Sequence, residues 1–198
     1  MMFDDACSGT QWSMSSVGTP DPTPDEPNSA WLTDQELSDV RRRIPILYVE
    51  AVPVRVDGMG VVTSVGMLLR GNAQGAITRT LVSGRVMFGE TLRDALFRHI
   101  EKDLGPMAFP LLPASPVPFT VAEYFPFPGL SAYLDERQHA VSLAFVVPVT
   151  GTTEPRQDAL ELTWMTPAEA SSPTIHAEME GGRGTLLRAA LASVGVLG

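Results

Sequence analysis

The chain has 198 residues, with 14 Lys and Arg against 23 Asp and Glu, so its formal net charge at pH 7 is -9. This acidic balance argues against a general surface for nucleic acid or anionic membranes, and a bound phosphate would need a metal or a local basic pocket. The single Cys7 excludes an intramolecular disulfide framework, and no secretory signal or membrane-spanning run is visible, so we expect a cytoplasmic protein.

Composition divides the chain into two parts. Residues 1–29 are rich in Ser, Thr, Pro, Gly and Asp and include the segment TPDPTPDEPNS. Such a segment buries too little apolar surface to offset the entropy of ordering, so a disordered tail is expected. Residues 30–198 are long enough for one domain with a sizeable core.

A helix is predicted at the start of this domain. Thr33 and Glu36 have the spacing of a capping box, and residues 41–43 place three arginines in the last turn, where cations favour the helix dipole. Pro45 then ends the helix. The favoured interpretation is that the three arginines are solvated and stabilise the end of the helix. Binding of a phosphate by them is the less favoured alternative.

Strands are predicted next. Residues 46–56 are apolar and β-branched, and Pro53 among them indicates a bulge or an edge position. The segment DGMG at 57–60 is typical of a hairpin turn, which makes residues 61–70 the partner strand. A short strand around residues 76–82 follows.

The most informative stretch covers residues 84–106, GRVMFGETLRDALFRHIEKDLGP. It predicts a tight loop between Gly84 and Gly89 and then an amphipathic helix. Thr91 is the expected N-cap, and Gly105 with the following proline is expected to end the helix.

The remainder predicts more strands and a last helix. An irregular segment from residue 107 precedes strands at 117–127, at 139–150 and around 160–164. A helix over 184–194 follows the segment GGRG, and a phosphate could lie at the N-terminus of that helix.

The polar residues of the stretch at 84–106 resemble the Nudix box of the Nudix hydrolases. That box is a glycine, five residues, a glutamate, seven residues, and then Arg-Glu-aliphatic-any-Glu-Glu-any-Gly-aliphatic. Five residues match it: Gly84, Glu90, Arg98, Ile100 and Gly105. Asp103 replaces the last glutamate, His99 the first helical glutamate, Lys102 a metal-binding glutamate and Pro106 the final aliphatic residue. The later segment ELTWMTPAEA resembles the late Nudix strand that carries a tryptophan.

The resemblance implies an α+β Nudix fold with a mixed β-sheet sandwiched between α-helices. It also implies metal-assisted attack of water on a nucleoside diphosphate linked to another moiety. The implied site residues are Glu90, Arg98 and Asp103 for catalysis, Lys102 and Gly84 for substrate binding, and Asp103, Glu90 and His99 for the metal. Outside the box, acids that could complete a metal site are Glu123, Glu154, Asp158 and Glu161, and aromatic residues that could stack on a base are Tyr124, Phe125, Phe127 and Tyr133.

Two of the box residues count against the standard magnesium chemistry. A protonated Lys102 repels a dication where the family attracts it, at a cost on the order of several kcal/mol. The imidazole of His99 favours manganese, zinc or iron over magnesium. The resemblance thus implies magnesium or manganese as the cofactor. Lys102 and His99 are the two residues that make binding of such a metal doubtful.

Two functions are left open by these residues. The first is a divergent Nudix hydrolase whose magnesium-dependent activity is weakened or lost. The second is a non-catalytic Nudix-fold module that binds a nucleotide-like ligand or a protein partner, with Lys102 holding a phosphate directly. Nucleic acid and membranes are not expected as partners, and the resemblance allows a homodimer.

Overall fold

The computed structural model describes residues 31–71, 75–155 and 159–196. The predicted disordered tail at residues 1–29 lies outside these ranges. The described elements are, in chain order, α1 Asp34–Arg41, β1 Ile46–Val56, β2 Val62–Gly71, β3 Ile77–Thr80, β4 Val82–Arg85, α2 Leu92–Leu104, β5 Ala108–Pro110, β6 Thr120–Phe125, β7 Tyr133–Leu134, β8 Ala140–Gly151, β9 Ala159–Met165, α3 Pro167–Ala170, α4 Pro173–Ala177, a 3₁₀ turn Glu180–Gly182 and α5 Arg183–Ser193. None of these helices is long and apolar enough to cross a membrane.

Helix α1 has the predicted capping box. The Thr33 backbone N–H donates to Glu36 Oε2 at 2.8 Å, and the Glu36 backbone N–H donates to Thr33 Oγ1 at 3.3 Å. Both contacts satisfy amide groups that have no partner inside the helix. Arg41 is the last helical residue, and its Nε donates to Gln138 Oε1 at 2.8 Å. This contact ties the end of α1 to the segment that precedes β8.

The strands form a mixed sheet with the main order β3-β2-β1-β8-β6-β7. The two central strands, β1 and β8, run parallel from the pair Ile46–Ala140 to the pair Val54–Pro148. Antiparallel pairs join β1 to β2, β2 to β9 and β6 to β8. Off the main path, β4 pairs with β1, and β5 pairs with β8 within a segment that was predicted to be irregular.

Pro53 lies in a central strand, so the predicted edge position is wrong. On one side, β1 pairs with β4 through residues 48–51 and with β2 from residue 54 onward. Pro53 falls at the junction of these two ladders, where a residue without an N–H is tolerated. A register shift between Arg55 and Val56 supplies the irregularity that was the other expectation.

Helices cover both faces of the sheet, as predicted. Because side chains alternate along a strand, β1 contributes to two cores. Val52 packs in one core with Leu187 of α5, and Val49 packs in the other with Ile100 of α2. Fully burying side chains of this size stabilises the fold by about 1.5–3 kcal/mol each. The apolar face of α2 is therefore fixed against the sheet, and its polar residues keep a defined position beside β4.

The stretch at 84–106 differs from its prediction at one point. Gly84 lies in β4, paired with Val49 of β1, and not in a loop. The turn follows it and includes Gly89 with φ of 77°. As predicted, Thr91 caps α2, with its Oγ1 accepting from the Asp94 N–H at 3.1 Å, and the helix ends before Gly105.

Candidate functional site

A cleft of about 640 Å³ lies beside α2 and the strands β2, β3 and β4. Six of the 14 Lys and Arg of the chain line it: Arg70, Arg85, Arg98, Lys102, Arg137 and Arg183. Within the described ranges, no Asp or Glu does. In a chain with a net charge of -9, this arrangement gathers positive charge in one concave site, here called the cationic cleft.

Glu90 and Arg98 form a bidentate ion pair at the cleft. Arg98 donates from Nε to Glu90 Oε1 and from Nη2 to Glu90 Oε2, both at 2.7 Å. The Met87 N–H donates to the same carboxylate at 2.9 Å. Burial would raise the pKa of Glu90, but the hydrogen bonds from Arg98 and Met87 outweigh it and lower that pKa. The pair therefore ties the turn before α2 to the helix.

His99 packs directly against Gly84. Its Nε2–H donates to the Arg85 carbonyl oxygen at 2.9 Å, which places the proton on Nε2. A Cβ at Gly84 would lie 1.8 Å from His99 Cε1, so the close approach of the imidazole requires glycine there. Burial lowers the pKa of His99 to about 4, and the ring is therefore neutral at neutral pH.

Asp103 is 0% exposed and faces two cations. Its Oδ1 lies 2.6 Å from Arg70 Nη2 and 3.4 Å from Lys102 Nζ. Burial raises the pKa of Asp103, while the charges of Arg70 and Lys102 act in the opposite direction. Because Arg70 belongs to β2 and Asp103 to α2, this ion pair also joins the sheet to the helix.

Each of the three residues predicted to bind a metal ion is engaged by another partner in this structure. Magnesium needs several oxygen ligands in near-octahedral geometry. Of the three residues predicted to bind it, Asp103 pairs with two cations, Glu90 is engaged by Arg98, and His99 is bonded to a backbone carbonyl. Across the described residues, no group of three or more His, Cys, Asp or Glu side chains could hold a metal ion. Positive charge in the cleft is supplied by the protein's own side chains.

Two more arginines of the cleft are oriented by carboxylates. Arg183 donates from Nε to Glu50 Oε1 at 3.0 Å, and Glu50, which is 1% exposed, also accepts from the Tyr124 hydroxyl at 2.9 Å. Arg137 is bidentate to Asp135 at 2.8 and 2.9 Å. Each guanidinium lines the cleft in an orientation set by its acid.

Several lining residues were not predicted from the sequence. They are Trp31, Tyr48, Arg70, Arg85, Arg137 and Arg183. The segment GGRG was predicted as a possible phosphate site, and it contains one of these residues, Arg183. Its glycines have another role, because a Cβ at Gly181 or Gly182 would lie 2.6 or 2.2 Å from a backbone carbonyl oxygen of the 132–134 segment.

Of the residues proposed from outside the box, those that the structure describes do not line the cleft. Tyr124 is buried in the core beside Tyr133, and Phe125 stacks on His139 with ring centroids 4.4 Å apart. Phe127 is exposed, and Glu123, Glu154 and Glu161 also lie elsewhere. Asp158 falls outside the described residues. The aromatic side chains that the cleft does contain are Trp31 and Tyr48.

Comparison with known proteins shows the family of this chain. A family model described as a domain of unknown function (DUF4916) matches residues 27–196. A crystal structure of a possible asymmetric diadenosine tetraphosphate hydrolase from Jonesia denitrificans is 60% identical, with a TM-score of 0.77, and the match covers 79% of this chain and 98% of that one. No protein with a curated description matches significantly.

More distant solved structures have the same fold. A Nudix hydrolase from Nitrosomonas europaea is 13% identical, with a TM-score of 0.56 over 76% of this chain and 90% of that one. The Nudix domain of Shewanella oneidensis NrtR, solved with ADP ribose, is 14% identical, with a TM-score of 0.54 over 82% and 99%. The fold implied by the residues at 84–106 is thereby confirmed. The chain belongs to the DUF4916 family and has the Nudix fold.

Proposed function

We propose that the protein binds a nucleotide-like ligand that carries phosphate, and that it does so in the cationic cleft without a divalent metal. The observation that carries this proposal is the composition of the lining, with six Lys and Arg and, among the described residues, no carboxylate. Guanidinium groups present planar donors that match phosphate oxygens, and lysine adds a compact charge. The cleft volume of about 640 Å³ lies within the usual range for small-molecule sites.

Other lining residues suit the rest of a nucleotide. Trp31 and Tyr48 offer aromatic surface on which a base can stack. Thr78, Thr80 and Ser83 offer hydroxyl groups that can donate to or accept from a sugar or phosphate. A ligand with both an anionic and an aromatic part would use the cleft more fully than an inorganic ion.

The box residues take roles in this binding site. Lys102, whose side chain is 31% exposed, contacts phosphate directly, and Asp103 behind it positions both Lys102 and Arg70. Glu90 holds Arg98 in place through two hydrogen bonds. Gly84 contributes by leaving room for the imidazole that forms part of the cleft wall.

Calorimetric titration tests this proposal. Diadenosine tetraphosphate is the first probe, because the relative that is 60% identical is described as a possible hydrolase of that compound. We expect saturable binding in EDTA, and a Lys102→Gln variant should bind at least about tenfold more weakly, as for loss of a charged hydrogen bond. Arg188→Gln removes the same charge from an exposed position of α5 outside the cleft and serves as the control. Binding that requires added magnesium would contradict the proposal.

The description of that relative also supports a second candidate, hydrolysis of the same class of ligand. The residues predicted for catalysis are Glu90, Arg98 and Asp103, and both carboxylates are already engaged by cations. Separation of products by anion exchange, after incubation with magnesium or manganese, tests this candidate. Turnover that is lost in Glu90→Gln would favour the hydrolase, whereas tight binding in EDTA with no turnover in either metal would favour the binding protein.

A further inference from the structure

The sequence that precedes the described residues is acidic. Residues 1–30 contain five Asp and Glu and no Lys, Arg or His. Three of these acids, Asp21, Asp25 and Glu26, lie in the segment PDPTPDEPN at residues 20–28, here called the acidic segment. More than half of the formal net charge of -9 therefore comes from residues 1–30, and its sign is opposite to that of the cationic cleft.

The chain enters the described structure at this cleft. Trp31 is the first described residue, and it is one of the residues that line the cleft. Two positions later, Thr33 begins α1 through its capping box, and at the other end of α1 Arg41 is bonded to Gln138. Because α1 is held at both ends, the point at which the acidic segment joins the domain is fixed beside the cleft.

The acids are close enough along the chain to reach the cleft. Glu26 precedes Trp31 by five positions, and Asp21 precedes it by ten. An extended chain spans at most about 3.3–3.6 Å per residue, so these carboxylates have a reach of up to about 17 and 34 Å from Trp31. Cations that line a cleft of about 640 Å³ together with Trp31 are therefore accessible to them.

The cleft has positive charge that its own ion pairs do not balance. Asp103 is the one carboxylate for both Arg70 and Lys102, and within the described ranges Arg85 has no ion pair with a carboxylate. Positive charges gathered in a concave site repel one another and are stabilised by any anion that joins them. The acidic segment and an anionic ligand are thus alternative sources of the same compensating charge.

We infer that the acidic segment occupies the cationic cleft when no ligand is bound, and that the ligand must displace it. This inference rests on the proposed function, since segment and ligand compete for the same cations, and it adds regulation of that site by the chain itself. Tethering makes the competition effective. At an effective concentration of about 1 mM, a segment with an intrinsic Kd of about 0.1 mM fills the cleft about 90% of the time and weakens ligand binding about tenfold.

Neutralising the three acids in the full chain tests this competition. The triple variant Asp21→Asn, Asp25→Asn and Glu26→Gln should bind diadenosine tetraphosphate about tenfold more tightly than wild type, measured by calorimetry in EDTA.

A second triple variant controls for the loss of charge. Glu123→Gln, Glu154→Gln and Glu161→Gln remove the same number of carboxylates from exposed positions outside the cleft. At about 0.15 M salt, exposed charges more than about 8 Å apart are largely screened. The control variant should therefore bind diadenosine tetraphosphate within about twofold of wild type.

NMR provides a readout that needs no ligand. In ligand-free protein, the backbone amide resonances of Thr80 and Gly84, which both line the cleft, should differ between wild type and the variant of the acidic segment. They should stay in place in the control variant. Unchanged resonances would overturn the inference even if the affinity rises, because the acids would then repel the ligand without entering the cleft.

The remaining outcomes separate this inference from the proposed function. If wild type and the variant of the acidic segment bind diadenosine tetraphosphate equally well in EDTA, the inference is overturned and the proposed function stands. If neither protein binds it in EDTA, the proposed function fails, while a change in the Thr80 and Gly84 resonances would still support docking of the acidic segment in the cleft.

Discussion

Replacing Gly84 with alanine tests the closest packing contact in the site. The new Cβ would lie 1.8 Å from Cε1, 2.3 Å from Nε2 and 2.4 Å from Nδ1 of His99. Favourable contacts between carbon atoms are about 3.5–4.0 Å, so the ring or the strand must move by about 1.5–2 Å. The ring has little freedom to do so, because it is 5% exposed and bonded to the Arg85 carbonyl.

The expected cost follows from these contacts. Overpacking in a buried site costs about 1–3 kcal/mol, and displacing His99 from its hydrogen bond adds about 1 kcal/mol. We therefore expect Gly84→Ala to lower the free energy of unfolding by about 2–4 kcal/mol, measured by urea denaturation with tryptophan fluorescence. Gly71→Ala is the control, since Gly71 is also a strand glycine and its Cβ would meet nothing within 4 Å. Its effect should stay within about 0.5 kcal/mol.

A double-mutant cycle identifies the cause. In a His99→Ala background the ring is absent, so adding Gly84→Ala should cost less than about 1 kcal/mol. The coupling energy between the two positions should then be about 2 kcal/mol. If Gly84→Ala is as stable as wild type, or if it costs the same with and without the imidazole, then steric contact with His99 is not the reason for glycine at this position.

Three further predictions concern the same region. Burial lowers the pKa of His99 from 6.5 to about 4, so as the pH falls the unfolded state takes up the proton first. The free energy of unfolding should therefore decrease by up to about 3 kcal/mol as the pH falls from 6.5 towards 4. Urea denaturation of His99→Gln across this range should lack that component, and an unchanged slope would contradict the assignment. Tyr124→Phe removes the hydrogen bond to Glu50 and should cost about 1–2 kcal/mol, read as a lower melting temperature, while no change would mean that the hydroxyl is dispensable. The double variant with Lys102→Glu and His99→Glu should bind diadenosine tetraphosphate more weakly than wild type in EDTA. If calorimetry instead shows stronger magnesium binding and undiminished ligand binding, these two residues mark a damaged metal site.

Local structure was predictable because nearby residues determine it. The capping box of Thr33 and Glu36, the turn at 57–60 and the cap at Thr91 each depend on residues at most a few positions apart. These features share a short sequence range, within which side-chain identity and spacing limit the backbone to few conformations. The fold, by contrast, was expected from the resemblance of residues 84–106 to the Nudix box and from the order of the strands around it.

The chemistry of the cleft was not predictable in the same way. Arg70 meets Asp103 because β2 and α2 are packed together, and Arg183 meets Glu50 across 133 positions of sequence. Such contacts depend on strand order, which no local pattern specifies. Gly84 illustrates the same limit. The sequence predicts a loop at this position, whereas glycine is required there by the imidazole of His99 on the following helix.

The parallel pairing of β1 with β8 has a consequence for how the chain reaches this structure. Partners in that ladder, such as Ile46 and Ala140, are 94 positions apart, and closing a segment of that length costs about 4 kcal/mol of entropy before the ladder forms. The hairpin of β1 and β2 needs no such closure and can form much earlier. During synthesis, the edge of β1 that pairs with β8 therefore stays unpaired until most of the domain is made. Folding should be limited by this late step, on the slow scale typical of proteins with many distant contacts.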